Sequence, residues 1–269
     1  MLKAFAEAGA VFENDEWIGT AEKNARLMLD QLRDENGLLL HTWKATNDSE
    51  GDARILGYLD DHSYLVDALL TLYEATFDFS YVRAAQSIAD QMIERFWDKD
   101  WGVFYDTSLE HSKLLVRPRD VLDNAVPSGG AIAAIALQRL GVFTGINEYA
   151  EKAETSMKAL IPHMEQAPSA VTSWLAAVDF LHSNSQEVVL IGDESDPVIS
   201  AMKRELRKTF EPNLILSGAA AGSSEFGSSP LLEGRRQVNG KATAYVCENY
   251  ACKLPVTSPA EMREQLGLI

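Results

Sequence analysis

The sequence predicts a mainly α-helical chain: a partial α/α toroid followed by a small C-terminal α/β unit. Three observations predict it. One helical-hairpin layout recurs three times, the two helices of each hairpin differ in how much of their girth is apolar, and the pattern changes abruptly near residue 186.

The recurring segments begin at Ala4, Leu65 and Ala131, in AFAEAGAVFENDEWIGTAEKNARLMLDQL, LVDALLTLYEATFDFSYVRAAQSIADQMIERF and AIAAIALQRLGVFTGINEYAEKAETSMKAL. Each contains an apolar helix, a short turn, an aromatic anchor (Trp17, Tyr81, Tyr149) and, four residues on, an alanine (Ala21, Ala85, Ala153). Turns are expected near residues 14–16, 77–80 and 143–147. In the second hairpin the first helix is apolar on several sides through Leu65, Val66, Leu69, Leu70 and Leu72. The second has one apolar face, Ala85, Ile88, Ala89, Met92 and Phe96. A helix apolar over much of its girth belongs inside and an amphipathic one outside, which is the inner/outer alternation of a toroid. GLLLHT (37–42) and GVFYDT (102–107) then read as extended connections, with Gly37 and Gly102 expected at positive φ to end the outer helices.

Residues 1–185 form the toroid segment on this reading, and 186–269 the α/β unit. QEVVLIGDE reads as a buried strand. Asp196-Pro197 starts a helix with a capping acid and a proline in the first turn. NLILSG and ATAYVC are further strands, residues 217–241 a Gly/Ser-rich loop, and PAEMREQL a last short helix.

The chain has 269 residues, 46% hydrophobic and 24% charged, with a formal net charge of −16. Such acidity repels phosphate-rich surfaces and argues against nucleic acid or an anionic membrane as partner. No apolar run of 18 residues occurs, and the N-terminal stretch carries Glu7 within its apolar residues, so it reads as an amphipathic helix. A soluble, cytoplasmic protein is expected. The two cysteines, Cys247 and Cys252, are too few for a disulfide framework and fit a reducing compartment. They lack the CxxC redox spacing and complete no zinc site, so burial of a small apolar thiol is their simplest role. With no GxGxxG or Walker sequence, neither a nucleotide cofactor nor a metal is expected.

Three groups of residues could carry chemistry. Asp60, Asp61 and Tyr64 open the second inner helix. Acids in a first turn favour the helix dipole, so capping explains them, but Asp60, Tyr64 and Asp67 share a face that is otherwise costly unless it meets a wet cavity. Arg117, Arg119, Asp120, Asp123 and Asn124 precede Ser128, a candidate N-cap. They supply the planar polar groups that bind polyols, although an Arg117–Asp123 ion pair is an alternative use. His41, with Trp43, and Asp106, with Tyr105, occupy equivalent positions in the two connections. His41 is the better histidine for proton transfer, and Trp43 and Tyr105 could offer faces to a sugar. His111, His163 and His182 show no useful spacing. All connections from an outer helix to the next inner one lie at the same end of such an array. Asp60, Asp61, Tyr64, Arg117, Asp123 and Asn124 are therefore expected to converge near His41, Trp43 and Asp106.

GYLDDHSYLVDALLTLYEATFD, RPRDVLDNAVPSGGAIAA and ATAYVCENYACKLPVTSPAE, in that order, resemble the spermatogenesis-associated protein 20-like family. Its members join a thioredoxin-like domain to a six-hairpin α/α barrel, and this chain resembles only the C-terminal barrel part. The resemblance implies about three and a half hairpins where a closed barrel has six. It also implies an aromatic residue where His62 stands, so His62 is not expected to be an essential base. The barrel is similar to the six-hairpin glycosidase and N-acylglucosamine 2-epimerase folds. That implies a carbohydrate-active or sugar-binding protein acting on a sugar or sugar derivative, with Asp61, Asp123 and His41 as catalytic candidates. The other reading is a non-catalytic module that docks a thioredoxin-like domain or self-associates, because a partial ring leaves apolar inner helices unpartnered.

Overall fold

In a computed structural model, residues 1–45, 51–111, 115–183, 185–248 and 251–268 are described. Three antiparallel hairpins run in order: α1 (Leu2–Val11) with α2 (Asp15–Gln31), α3 (Leu59–Thr76) with α4 (Ser80–Phe96), and α5 (Gly129–Thr144) with α6 (Asn147–Gln166). A single helix, α7 (Thr172–His182), packs on α5 as the next half-hairpin. The hairpin turns fall at or within two residues of the expected positions. The anchor rule holds because Ala21, Ala85 and Ala153 are each 0% exposed: only a methyl fits where the outer helix crosses the inner one.

The inner helices α1, α3 and α5 pack side by side, α3 between the other two. Their contact seam is not purely apolar. Asp67 on α3 is buried and accepts hydrogen bonds from Lys3 Nζ of α1 at 2.7 Å and Arg139 Nη1 of α5 at 2.5 Å. The other amino group of Arg139 reaches Glu74, about two turns further along α3, at 2.9 Å. Burial would raise the Asp67 carboxyl, but Arg139 and Lys3 outweigh it and hold the group below its ordinary range.

The connections differ in one respect from expectation. Gly37 and Gly102 do take positive φ, +77° and +68°, but neither caps a helix: α2 has already ended at Gln31 and α4 at Phe96. Both glycines instead turn the chain within short antiparallel structures. The first connection pairs β1 (Leu40–Lys44) with β2 (Asp52–Leu56), and the second pairs β3 (Trp97–Asp98) with β4 (Val103–Phe104).

The C-terminal sheet has the order β6-β5-β7-β8, with β5 (Gln186–Ile191), β6 (Ile215–Ala219), β7 (Thr243–Glu248) and β8 (Ala251–Cys252). β5 and β6 are parallel across helix α8 (Pro197–Leu206), while β7 runs antiparallel to β5. Asp196 caps α8 by accepting from Val198 N at 2.8 Å. Alternation along the strands divides the sheet's two faces. Val189, Ile191, Ile215 and Ala219 join the helical core, whereas Val188, Leu190, Leu216, Ala244 and Val246 meet α8 and the last helix, α9 (Pro259–Leu266). Tyr73 of α3 hydrogen-bonds Ser217 Oγ at 2.7 Å, which fixes the sheet against the hairpins. The Gly/Ser-rich stretch is more ordered than a loop reading suggests, since Leu231 and Leu232 are fully buried and Ser229 Oγ donates to Phe143 O at 2.6 Å.

The cysteine reading needs correction. Cys247 and Cys252 are not lone thiols: they face each other across the β7–β8 pair and are joined in a disulfide. Part of the intervening loop, residues 249–250, lies outside the described residues.

Candidate functional site

The backbone gathers the two connections and the two inner-helix entries at one end of the helix array. Gly57 N donates to Leu39 O at 2.8 Å, Leu59 N to Asp106 O at 3.0 Å, and Asp106 N to Pro118 O at 3.0 Å. Ser128 Oγ, the N-cap of α5, donates back to Asp120 O at 3.1 Å. The start of α3 thus packs against the start of α5. A Cβ added to Gly129 would lie 1.9 Å from Asp60 Oδ1, so the close approach requires glycine there.

The result is an acidic cleft. Burial, followed by the carboxylates of Asp106, Asp61 and Asp120, pushes Asp60 above the ordinary carboxylate range, against a smaller pull from His41. Asp106 is also raised, by burial and then by Asp120, although Asp120 N donates to its Oδ2 at 2.9 Å. Asn124 Nδ2 donates to Asp120 Oδ2 at 3.3 Å. Tyr64 hydroxyl donates to Pro127 O at 2.5 Å, and burial with the nearby Asp60 and Asp123 charges lifts its pKa to about 12, so it serves as a donor and not as a base.

His41 and Asp61 form a dyad at the cleft's edge, with Nδ1 2.8 Å from Asp61 Oδ2. The carboxylate fixes Nδ1 as the protonated nitrogen and leaves Nε2 to exchange protons. Asp61 also accepts from Tyr58 N at 2.8 Å, so it caps α3 and orients His41 at once. Tyr58 stacks on His111 with ring centroids 4.7 Å apart and meets His41 edge-on at 5.1 Å. His111 accepts from Ser108 N at 3.1 Å through Nδ1 and therefore donates from Nε2 to Leu56 O at 3.1 Å, so the backbone fixes the orientation of its ring. His62 is a packed core residue: it is 2% exposed, its Nδ1 donates to Tyr58 O at 2.8 Å, and burial lowers its pKa.

Other expected members are placed differently. Arg117 makes no pair with Asp123. Its guanidinium donates to Thr107 O and Arg95 O and lies 3.8 Å from the Tyr105 ring centroid, which Arg119 also approaches at 3.9 Å. Tyr105 therefore serves as a cation platform within the loop. Trp43 packs against Gly51 inside its own hairpin, where an added Cβ would lie 2.0 Å from the indole. Asp123 is a clasp: its carboxylate accepts from Ser128 N at 2.9 Å, Thr172 Oγ1 at 2.9 Å and Ser173 N at 2.7 Å, joining the α5 entry to the first turn of α7. Burial opposes its ionisation, but the Ser173 and Ser128 amides prevail and hold its pKa low. The residues that spacing did not single out are Tyr58 and His111, whose roles depend on β2 and on a loop contact between residues 55 apart in sequence.

A cavity of about 420 Å³ opens beside Asp61 and Tyr64 and reaches Lys3, Asp67 and Pro127. A larger one, about 840 Å³, lies further along the inner helices beside Asp67, Glu74 and Arg139 and does not include Asp60, Asp61 or Asp106. Among the described residues no cluster suited to a metal ion occurs, and no helix is long and apolar enough to cross a membrane.

The chain is 29% identical over 273 residues to human spermatogenesis-associated protein 20 and 28% identical over the same length to its mouse counterpart, in both cases across 99% of this chain. An uncharacterised protein of Caenorhabditis elegans is 25% identical over 265 residues. The chain spans only 35% of the length of the human relative. The resemblance read from the three motifs therefore holds along the whole of this chain. No family model matches it. Among solved structures, an unsaturated glucuronyl hydrolase from Bacillus sp. GL1, responsible for the degradation of glycosaminoglycan, aligns with a TM-score of 0.51 at 16% identity, over 67% of this chain and 56% of the hydrolase. At that identity the likeness is one of fold, a glycosidase-like helical toroid.

Proposed function

We propose that the acidic cleft binds a carbohydrate and performs acid–base chemistry on it. The observation that carries this reading is the pairing of an oriented base with raised carboxyls. His41 is aligned by Asp61, and Asp60 and Asp106 are held protonated to higher pH than ordinary carboxyls. An acid and a base held at one site are what proton transfer to and from a sugar carbon or a glycosidic oxygen requires. In this scheme His41 is the base, Asp60 the acid and Asp61 the group that positions His41. Asp106, Asp120, Asn124 and Tyr64 supply hydrogen bonds to hydroxyls. Asp123 holds the walls of the cleft in place. The toroid fold supports the substrate class by analogy only.

The charge of the cleft narrows the substrate. Four carboxyls converge there, while Arg117 and Arg119 are engaged elsewhere. A neutral or amino-bearing sugar suits such a site, and an anionic uronate is repelled. Thermal-shift screening with neutral monosaccharides, amino sugars and glucuronate tests this. Stabilisation by a neutral or amino sugar, lost in Asp61→Asn, supports the site; stabilisation by glucuronate alone contradicts it.

The alternative is a non-catalytic docking module for a thioredoxin-like domain or a second copy. The exposed apolar side chains of Val11 and Phe210, which border the larger cavity, favour it. A chain insensitive to every sugar but stabilised by a thioredoxin-like protein would select this reading.

A further inference from the structure

The disulfide lies at the edge of the C-terminal sheet, away from the acidic cleft. β8 is the terminal strand, and Cys252 on it is exposed, whereas Cys247 on β7 is 2% exposed. A third group completes the arrangement. Arg235 is 8% exposed, and its Nη2 lies 3.0 Å from Cys252 Sγ and 3.4 Å from Cys247 Sγ. The opposite nitrogen, Nη1, is anchored on Pro230 O at 2.9 Å, which fixes the guanidinium against both sulfurs. Its Nε is buried without a hydrogen-bond partner. Burial pulls the Arg235 pKa below its ordinary value, and Glu187, buried and opposite Cys247 in the β5–β7 register, offsets part of that by Coulombic attraction.

A disulfide whose only task is to staple a hairpin has no use for a buried cation directed at its sulfurs. Desolvating a guanidinium is costly, and a neutral disulfide returns little for it. A thiolate returns much more: a neighbouring arginine lowers a thiol's pKa and makes it both a better leaving group and a better nucleophile at neutral pH.

We propose that Cys247–Cys252 is a redox-active disulfide that exchanges with an external dithiol at Cys252, with Arg235 holding the departing Cys247 thiolate. One thiolate of the dithiol attacks the exposed Cys252 Sγ and forms a mixed disulfide. The Cys247–Cys252 bond breaks, and its electron pair leaves on Cys247 Sγ beside Arg235. The second thiol of the reagent then attacks its own sulfur in the mixed disulfide and releases Cys252. The dithiol ends as a disulfide, the protein gains two electrons, and the two thiol protons pass to the cysteines or to solvent. The reverse reaction oxidises the chain at the expense of a small disulfide such as oxidised glutathione. The substrate class is thus a dithiol or disulfide, small or borne by a protein.

The test uses the full chain with dithiothreitol as the probe. Native protein is incubated with millimolar dithiothreitol at neutral pH, thiols are trapped with a maleimide and counted by mass spectrometry, and circular dichroism follows the fold. Complete reduction with the fold retained is expected; resistance to reduction until the chain unfolds overturns the proposal. The pH profile of iodoacetamide alkylation of the reduced chain is the second readout. Its midpoint is expected below the ordinary thiol value of about 8.5, and a midpoint at or above that value overturns the role of Arg235 even if no variant folds. Arg235→Gln should slow alkylation at neutral pH roughly tenfold, with Arg235→Lys restoring most of the rate. Identical profiles for Arg235→Gln and wild type would likewise sink the proposal.

Discussion

At the scale of single residues, the site separates into groups that hold the walls and groups free to act. Asp123 belongs to the first kind. It accepts three hydrogen bonds from two segments, and bonds to a charged acceptor contribute about 1.5–3 kcal/mol in such settings. Asp123→Ala should lower stability by roughly 2 kcal/mol at neutral pH in urea unfolding. Its folded pKa is depressed below the ordinary 3.8, so the contribution is present above the unfolded value and is lost as pH falls through the folded one. The difference between variant and wild type should persist at neutral pH and close only in strong acid. Asp60 has the opposite sign. A raised folded pKa favours the folded state below the unfolded value, and that advantage disappears as pH rises through the folded pKa. Asp60→Asn should therefore melt above wild type at neutral pH and lose its lead on acidification. Spacing alone could bring the carboxylates and His41 to one end of the array, because helix entries and repeat positions are local. It could not tell Asp123 the clasp from Asp60 the crowded acid, since both roles depend on amides and charges brought from other segments. The Arg117–Asp123 pair does not form for the same reason: the carbonyl partner of Arg117, Thr107, lies ten residues back across a folded loop.

At the scale of elements, periodicity located every hairpin because an inner helix and an outer helix differ in apolar girth, and girth is visible in sequence. The short strands were only half legible. Alternation marked β1, but β2 (Asp52–Leu56) is five residues long, buries none of them fully and leaves Ile55 exposed, so its alternation is too short to read. The charged seam between inner helices was partly visible, since Asp67 fell on the polar stripe of α3, yet its partners Lys3 and Arg139 lie 64 and 72 residues away. That seam makes a sharp prediction. Asp67→Ala removes one of the two carboxylates that hold the buried Arg139 and should cost about 2–3 kcal/mol, whereas Lys3→Ala, whose side chain is 43% exposed, should cost about 1 kcal/mol or less. Equal losses from the two substitutions would mean that the seam is not the link that joins α1, α3 and α5.

At the scale of the molecule, the described helices form an open arc and not a closed ring, and the sheet packs one face into the helical core. The open side carries apolar surface: Val11 and Phe210, 49% and 88% exposed, both border the larger cavity. Sedimentation at increasing concentration should show self-association, and Phe210→Ser should weaken it; a monomer at all concentrations would contradict this. Whether the acidic cleft takes a sugar is read most directly at His41. His41 is held by Asp61 at the cleft's edge, so its ring resonances report both occupancy and protonation. In an NMR titration with N-acetylglucosamine as probe, a saturable shift of the His41 ring signals, abolished by Asp61→Asn, is expected. His41 signals that stay fixed while the sugar perturbs resonances elsewhere in the chain would contradict it.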